Sequence, residues 1–219
     1  PAFPPPARRP ERVSHALPSV ISFRPPYSNL TGGCCLTYIG TEGFTQALAQ
    51  EPNRQAADFL ALLLLTGARV GELLNAKHDD VADGAWLIPL SKSGKSRIVL
   101  LSETARAIFA CQPRVPGNDF VFPGCPRYGN PRMVAPVKAF ERVKARAGLR
   151  DLRLHDLRHS FASLAIQAGA TLYDIQNVLG HSTPQMTQRY SHLADERRKQ
   201  VSTQVEQAVA AAQRGAREG

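Results

Sequence analysis

The sequence predicts an α+β domain, mainly helical, with one small antiparallel sheet. Two observations lead there. From about residue 43 onward apolar residues recur mostly at helical spacing, and one stretch, residues 85–101, switches to short apolar runs around a polar Ser91-Lys92-Ser93-Gly94-Lys95-Ser96 centre. The chain has 219 residues, room for one domain with a real core plus tails.

In chain order, residues 1–37 stand apart. Eight of the 17 prolines fall within the first 26 residues, including Pro4-Pro5-Pro6 and Pro25-Pro26, and no helical or strand period survives there. A proline-rich arm, extended or disordered, is expected. Phe44, Ala47 and Leu48 suggest a short helix. Residues 54–66 follow, with the run Phe59 to Leu65 apolar almost all round, which predicts a central buried helix closed by Gly67. A second helix over roughly 69–76 comes directly after.

The hairpin strands are Trp86-Leu87-Ile88 and Arg97-Ile98-Val99-Leu100, with a basic tip between them. A helix over 102–110 and a short strand, Phe120-Val121-Phe122, come next, the strand stopped by Pro123-Gly124. The remainder reads as helix at 134–147, 155–168, 171–179, 184–191 and 194–213. Thr183-Pro184 is a start signal, a capping hydroxyl before proline at the first helical position. The last helix carries an apolar stripe, Val201, Val205, Ala208, Val209 and Ala212, that needs a surface to pack on, in its own domain or a neighbour's.

Lys and Arg outnumber Asp and Glu by 27 to 18, a surplus that favours a polyanionic partner. The run Phe59 to Leu65 is the longest apolar one and is far too short to cross a bilayer, so no membrane role is expected. The N-terminus has no apolar run of signal-peptide type. Cys34, Cys35, Cys111 and Cys125 form no CxxC pair, which argues against a zinc ribbon or a disulfide framework. A reducing compartment, the cytoplasm, is the expected location.

The chemistry centres on helix 155–168. Leu157, Phe161, Leu164, Ala165 and Ala168 recur at helical spacing as its buried stripe. Arg158 falls on the flank of that stripe and His155 further round, so both aim at one site at the edge of the core. Leu179-Gly180-His181 follows, with His181 in a turn before a helix and Tyr190 near that helix's far end. These residue types suit attack on a phosphodiester. The pentavalent transition state gains negative charge, which guanidinium groups can meet bidentately. A phenol has a free pKa of about 10 and needs a cationic site to act as nucleophile. Histidines can move protons and donate to non-bridging oxygens, and a lysine can protonate a leaving oxygen. A second arginine is therefore expected upstream, and Arg69 is the candidate, emerging where the buried helix ends, with Glu72 able to orient the segment.

Thr66 to Leu74, His155-Asp156-Leu157-Arg158-His159, Leu179-Gly180-His181 and Tyr190, in this order and spacing, resemble the signature of the tyrosine recombinase (phage integrase) family. The resemblance covers about residues 43–200. It implies the tyrosine-recombinase catalytic-domain fold over 38–193, with a C-terminal helix and tail over 194–219 that docks on a neighbouring protomer. It implies Tyr190 as nucleophile, Arg69, Arg158 and His181 as stabilisers of the phosphorane, and His155 as an aid to proton transfer. The hairpin lysine Lys92 would be the general acid for the leaving 5′-hydroxyl, with Lys95 the alternative at the same tip. The implied reaction cuts double-stranded DNA through a 3′-phosphotyrosyl bond and rejoins it in DNA integration or recombination. It uses no metal and no cofactor, and runs in a tetramer of the chain on two DNA sites. The family's N-terminal DNA-clamping domain has no counterpart in this sequence, so a second reading stands beside the first: a truncated integrase remnant that binds DNA without productive recombination.

His155 and His159 stand four apart, as in zinc protease helices, but Asp156 follows the first histidine where such sites need glutamate, and Arg158 would sit against the metal. His159 is expected to pack against another helix. His78 and His192 are assigned no role, and Tyr173 is read as a packing residue.

Overall fold

The computed structural model of the chain describes residues 38–89, 96–125, 129–180, 185–188, 190–191, 193–195 and 205–207. The proline-rich arm, the hairpin tip with Lys92 and Lys95, the segment with His181 and Thr183-Pro184, and most of the last helix lie outside the described residues.

Helix α1 spans Tyr38–Ala49 and α2 spans Arg54–Thr66, the latter with the bounds its apolar run predicts. Asn53 starts α2 by accepting the Ala56 N–H at 3.1 Å. Gly67 ends it at φ 62°, its own N–H returning to the Leu63 carbonyl. Phe59, Leu60, Leu62 and Leu63 are buried, and α2 packs against both α1 and the helices that follow. Helix α3, Val70–Leu74, is shorter than expected because Arg69 is its N-cap, in extended conformation at φ −73° and ψ 147°.

A 3₁₀ turn at His78–Asp80 leads into β1, Val81–Ala82, a strand too short to leave a period in the sequence. Strands β2, Ala85–Ile88, and β3, Arg97–Leu100, form the expected hairpin, and the antiparallel order is β1-β2-β3. The register pairs Trp86 with Val99, Leu87 with Ile98 and Ile88 with Arg97. Trp86, Ile88 and Val99 are buried while Leu87, Ile98 and Leu100 are exposed. Side chains alternate across a pleated sheet, so Arg97 shares the inward face with Trp86, Ile88 and Val99.

Helix α4, Glu103–Ala110, starts on Ser102, whose side chain accepts the Ala105 N–H. The expected strand at Phe120-Val121-Phe122 is not one. Phe120 and Pro123 make single bridges, to Lys77 and Arg132. The Val121 N–H reaches the Ala76 carbonyl, and the Met133 N–H reaches the Phe122 carbonyl. Val121 and Phe122 are fully buried, with Phe122 edge-on to Phe59 at 5.1 Å. The apolar run plugs the core from a loop, and a short apolar run alone does not distinguish that from a strand.

Helices α5, Val137–Arg146, α6, Asp156–Gln167, and α7, Leu172–Leu179, lie within the predicted segments. Of the segment predicted helical at 184–191, α8 spans Gln185–Gln188. The buried face of α6 is broader than its apolar stripe. Leu157 is buried, but Phe161, Leu164 and Ala165 are only half-buried and Ala168 is exposed. Asp156, Arg158, Ser160, Ala162, Ser163 and Ile166 are buried instead. The helix joins two apolar clusters, one holding Leu157 and the α2 core, the other Ala162, Ile166, Ile175, Leu179 and Tyr190. Small side chains permit that close approach, and Ser160 meets its hydrogen-bonding need by donating to the Asp156 carbonyl at 2.8 Å.

Glu51, buried between α1 and α2, accepts from Arg142 and Arg146 of α5. Among the described residues no helix is long and apolar enough to cross a membrane.

Candidate active site

Arg158 organises the site. It is buried in the first turn of α6, where its Nη1 donates to the Gly67 carbonyl at 2.8 Å and its Nη2 to the Leu179 carbonyl at 2.7 Å. Both acceptors lie at helix C-termini, the ends of α2 and α7, where carbonyls lack intrahelical partners and the dipole is negative. One guanidinium therefore ties together the two chain ends that lead into Arg69 and into the Gly180-His181 segment. The two bonds use two of the five N–H donors.

Arg69 leaves the end of α2 at the N-cap of α3. Its N–H donates to Glu72 Oε2 at 2.7 Å and its Nη1 to Glu72 Oε1 at 2.8 Å, so Glu72 does orient this segment, through the returning arm of a capping box. From the sheet, Arg97 reaches the same carboxylate. Burial alone would push the Glu72 carboxyl up, but hydrogen bonds and charge from Arg97, helped by Arg69, outweigh it and hold the group below the usual carboxylate range.

Three positive charges thus converge. Burial lowers Arg158 to about 10, with the charges of Arg69 and Arg97 adding to it and those of Glu72 and Tyr190 opposing. It remains a cation at neutral pH. His155 caps α6, its imidazole held below the ordinary histidine range by desolvation, then by the charge of Arg158, with Arg69 and Arg153 contributing and Asp156 opposing. Asp156, fully buried, accepts the Arg153 N–H at 2.8 Å and fixes the entry to the helix.

Tyr190 follows α8 in a turn, its N–H on the Thr187 carbonyl at 3.0 Å. Its ring is buried in the second apolar cluster. Its hydroxyl meets His159 Nδ1 at 2.6 Å, and the His159 ring meets that of His155 edge to face at 5.1 Å. Of the residues singled out in the sequence, Arg69, His155, Arg158 and Tyr190 are thus brought to one locality; Lys92 and His181 lie outside the described residues. Arg158 is buried rather than on a flank, because it serves two helix ends at once.

Sequence reasoning missed Arg97 and gave His159 only a packing role. The only signal for Arg97 was strand alternation, which was ambiguous because both faces of the hairpin carry apolar residues.

The sequence model of the phage integrase family matches residues 43–197. The chain belongs to the phage integrase family. Among its relatives, tyrosine recombinase XerD of Rhizobium meliloti (strain 1021) is 37% identical over 147 residues, covering 63% of this chain and 47% of that protein. XerC of Bradyrhizobium diazoefficiens is 33% identical over 173 residues, covering 74% of this chain and 51% of the relative. The chain spans about half the length of these relatives. The solved XerA recombinase superposes with TM-score 0.64 at 26% identity, covering 80% of this chain and 66% of XerA. The catalytic domain of bacteriophage HP1 integrase superposes with TM-score 0.58, also at 26% identity, covering 74% of this chain and 89% of that domain. The mostly helical fold with its three-stranded sheet is that of the catalytic domains in this phage integrase family.

Proposed function

We propose that this phage integrase family member is a site-specific DNA strand transferase that cuts and rejoins DNA through a 3′-phosphotyrosyl link on Tyr190. The observation that carries the reading is geometric: the buried Tyr190 sets its hydroxyl 2.6 Å from His159, the residue next to the buried Arg158, whose guanidinium also feels the charge of Arg69. A phenol and two guanidinium groups in one locality suit attack on a phosphodiester. Tyr190 attacks the phosphate, the 5′-oxygen leaves, and Arg69 and Arg158 hold the negative charge of the phosphorane. His181 would add a donor there, His155 would assist the protons, and Lys92 or its neighbour Lys95 would protonate the leaving oxygen. The phosphotyrosyl link conserves bond energy, so rejoining calls for no nucleotide.

Double-stranded DNA is the partner this reading requires, and the sequence surplus of 27 Lys and Arg over 18 Asp and Glu suits it. The solved XerH recombinase, with TM-score 0.61 and 26% identity to this chain, is bound to its difH substrate. Exchange between two DNA sites would engage four copies of the chain, with the residues beyond 194 docking on a neighbour. The cytoplasm is the compartment in which this reading places the reaction.

The test is covalent trapping. A duplex nicked near the cleavage site loses its short 5′-hydroxyl strand on cutting and cannot rejoin. A denaturant-resistant protein–DNA adduct is expected from the native chain and none from Tyr190→Phe. DNA binding without any adduct would overturn the reading.

A further inference from the structure

We propose that His159 is the base that takes the phenolic proton from Tyr190, so that nucleophile activation belongs to the histidine after Arg158. The proposal rests on the phosphotyrosyl reading and deepens it.

The geometry is specific. His159 Nδ1 and the Tyr190 hydroxyl are 2.6 Å apart, the ring centroids 6.1 Å apart at 48°. A general base must stand within hydrogen-bond reach of the proton it removes, and His159 Nδ1 stands within that reach of the Tyr190 hydroxyl. Helical spacing explains the meeting. His159, Ala162 and Ile166 stand at i, i+3 and i+7 on α6, one face of the helix. Ala162 and Ile166 belong to the buried cluster that contains Tyr190. The same face that buries the tyrosine ring therefore presents an imidazole to its hydroxyl. Arg158, one residue earlier, points about 100° away toward the ends of α2 and α7.

Burial matters chemically. Tyr190 is only 4% exposed, so bulk water is a poor acceptor for its proton. A phenol titrates near pH 10 and a histidine near 6.5, so a neutral imidazole can take the proton as the phosphorus–oxygen bond develops. The His155 ring, edge to face with His159 at 5.1 Å, limits how that imidazole can turn.

The step balances. The Tyr190 O–H bond breaks and its proton passes to Nδ1, giving an imidazolium. The phenolic oxygen bonds to phosphorus, and the bond from phosphorus to the 5′-oxygen breaks. That oxygen takes a proton from the general acid. In rejoining, an incoming 5′-hydroxyl returns its proton to the deprotonated general acid, its oxygen bonds to phosphorus, and the displaced phenolic oxygen recovers its proton from the His159 imidazolium.

The experiment uses the full chain and the nicked duplex under single-turnover conditions, following adduct formation, DNA affinity and thermal unfolding together. His159→Leu, which keeps a buried apolar volume, and His159→Ala are expected to slow adduct formation by roughly 100-fold or more, with DNA affinity within about two-fold of the native chain. Added imidazole should restore His159→Ala, whereas pyrazole, equal in size but a far weaker base, should not. Adduct formation at the native rate by His159→Leu, or equal rescue by imidazole and pyrazole, would overturn the proposal. A native chain that forms no adduct would instead defeat the phosphotyrosyl reading.

Discussion

Arg97 holds both carboxylate oxygens of Glu72, Nη1 to Oε1 at 2.7 Å and Nη2 to Oε2 at 2.8 Å. The fork joins the sheet to the start of α3, and through Glu72 it sets the position of Arg69. The Arg69 guanidinium, which the proposed reaction sets against a phosphate, is thereby fixed from two directions.

Glu72→Gln should leave Arg69 present but poorly aimed. Adduct formation should fall by roughly 10–100-fold while DNA affinity changes little, since misplacement penalises the reacting geometry more than binding. Arg97→Lys, which cannot reproduce the fork, should show the same split in single-turnover assays.

Arg158→Lys should cost both chemistry and stability. A lysine cannot serve the Gly67 and Leu179 carbonyls in the same planar geometry and leaves buried acceptors unpaired. Adduct formation should drop by about 100-fold or more, and the thermal midpoint should fall measurably. An unchanged midpoint would mean that the tie between α2 and α7 carries no weight.

Gly67→Ala should be severely destabilising. The residue sits at φ +62°, and an added Cβ would lie 2.6 Å from Phe161 Cδ1 and 2.7 Å from Leu179 Cδ2. The backbone conformation alone costs about 1–2 kcal/mol, before the clash. Gly71→Ala is the control: nothing lies within 4 Å of its Cβ position and it is inside α3, so it should be neutral or slightly stabilising. Denaturant unfolding of the two variants checks the contrast.

Acid should weaken the fold in part through Glu51. Hydrogen bonds from Arg142, helped by Asn53 and Arg146, outweigh the opposing effect of burial and hold its carboxyl below the usual glutamate range. A folded-state pKa below the unfolded one means that the unfolded chain binds more protons between the two values. The stabilisation is thus fully present above about pH 4.5 and is lost as pH falls through the folded value. Glu51→Gln should unfold roughly 2–6 °C earlier at neutral pH. The gap to the native chain should narrow as the buffer is taken below pH 4.5, which thermal melts across a pH series would reveal.

Much of the site was legible because its residues sit in short local motifs. Arg69 and Glu72 are three apart, and His155, Arg158 and His159 span a helical turn and a residue. Arg97 was hidden because Leu87, Ile98 and Leu100 on the open face are as apolar as Trp86, Ile88 and Val99 on the covered one. Nothing in such a pattern says which face looks inward. Phe120-Val121-Phe122 misled for a related reason, since a core-filling loop and a buried strand ask for the same side chains. The stripe on α6 misled because Ser160 and Ser163 are polar by type yet buried by small size.

What the chain determined by itself was local: where α2 begins and ends, its closure at Gly67, the hairpin strands, and the residue types available for phosphate chemistry. Those follow from backbone sterics, periodic apolar spacing and hydrogen bonds within a few residues. Only the tertiary structure decided who meets whom. Arg97 finds Glu72 across 25 residues, Tyr190 finds His159 across 31, and Arg158 finds Gly67 across 91. Partners at that range are selected by packing and strand register, which one-dimensional spacing does not encode.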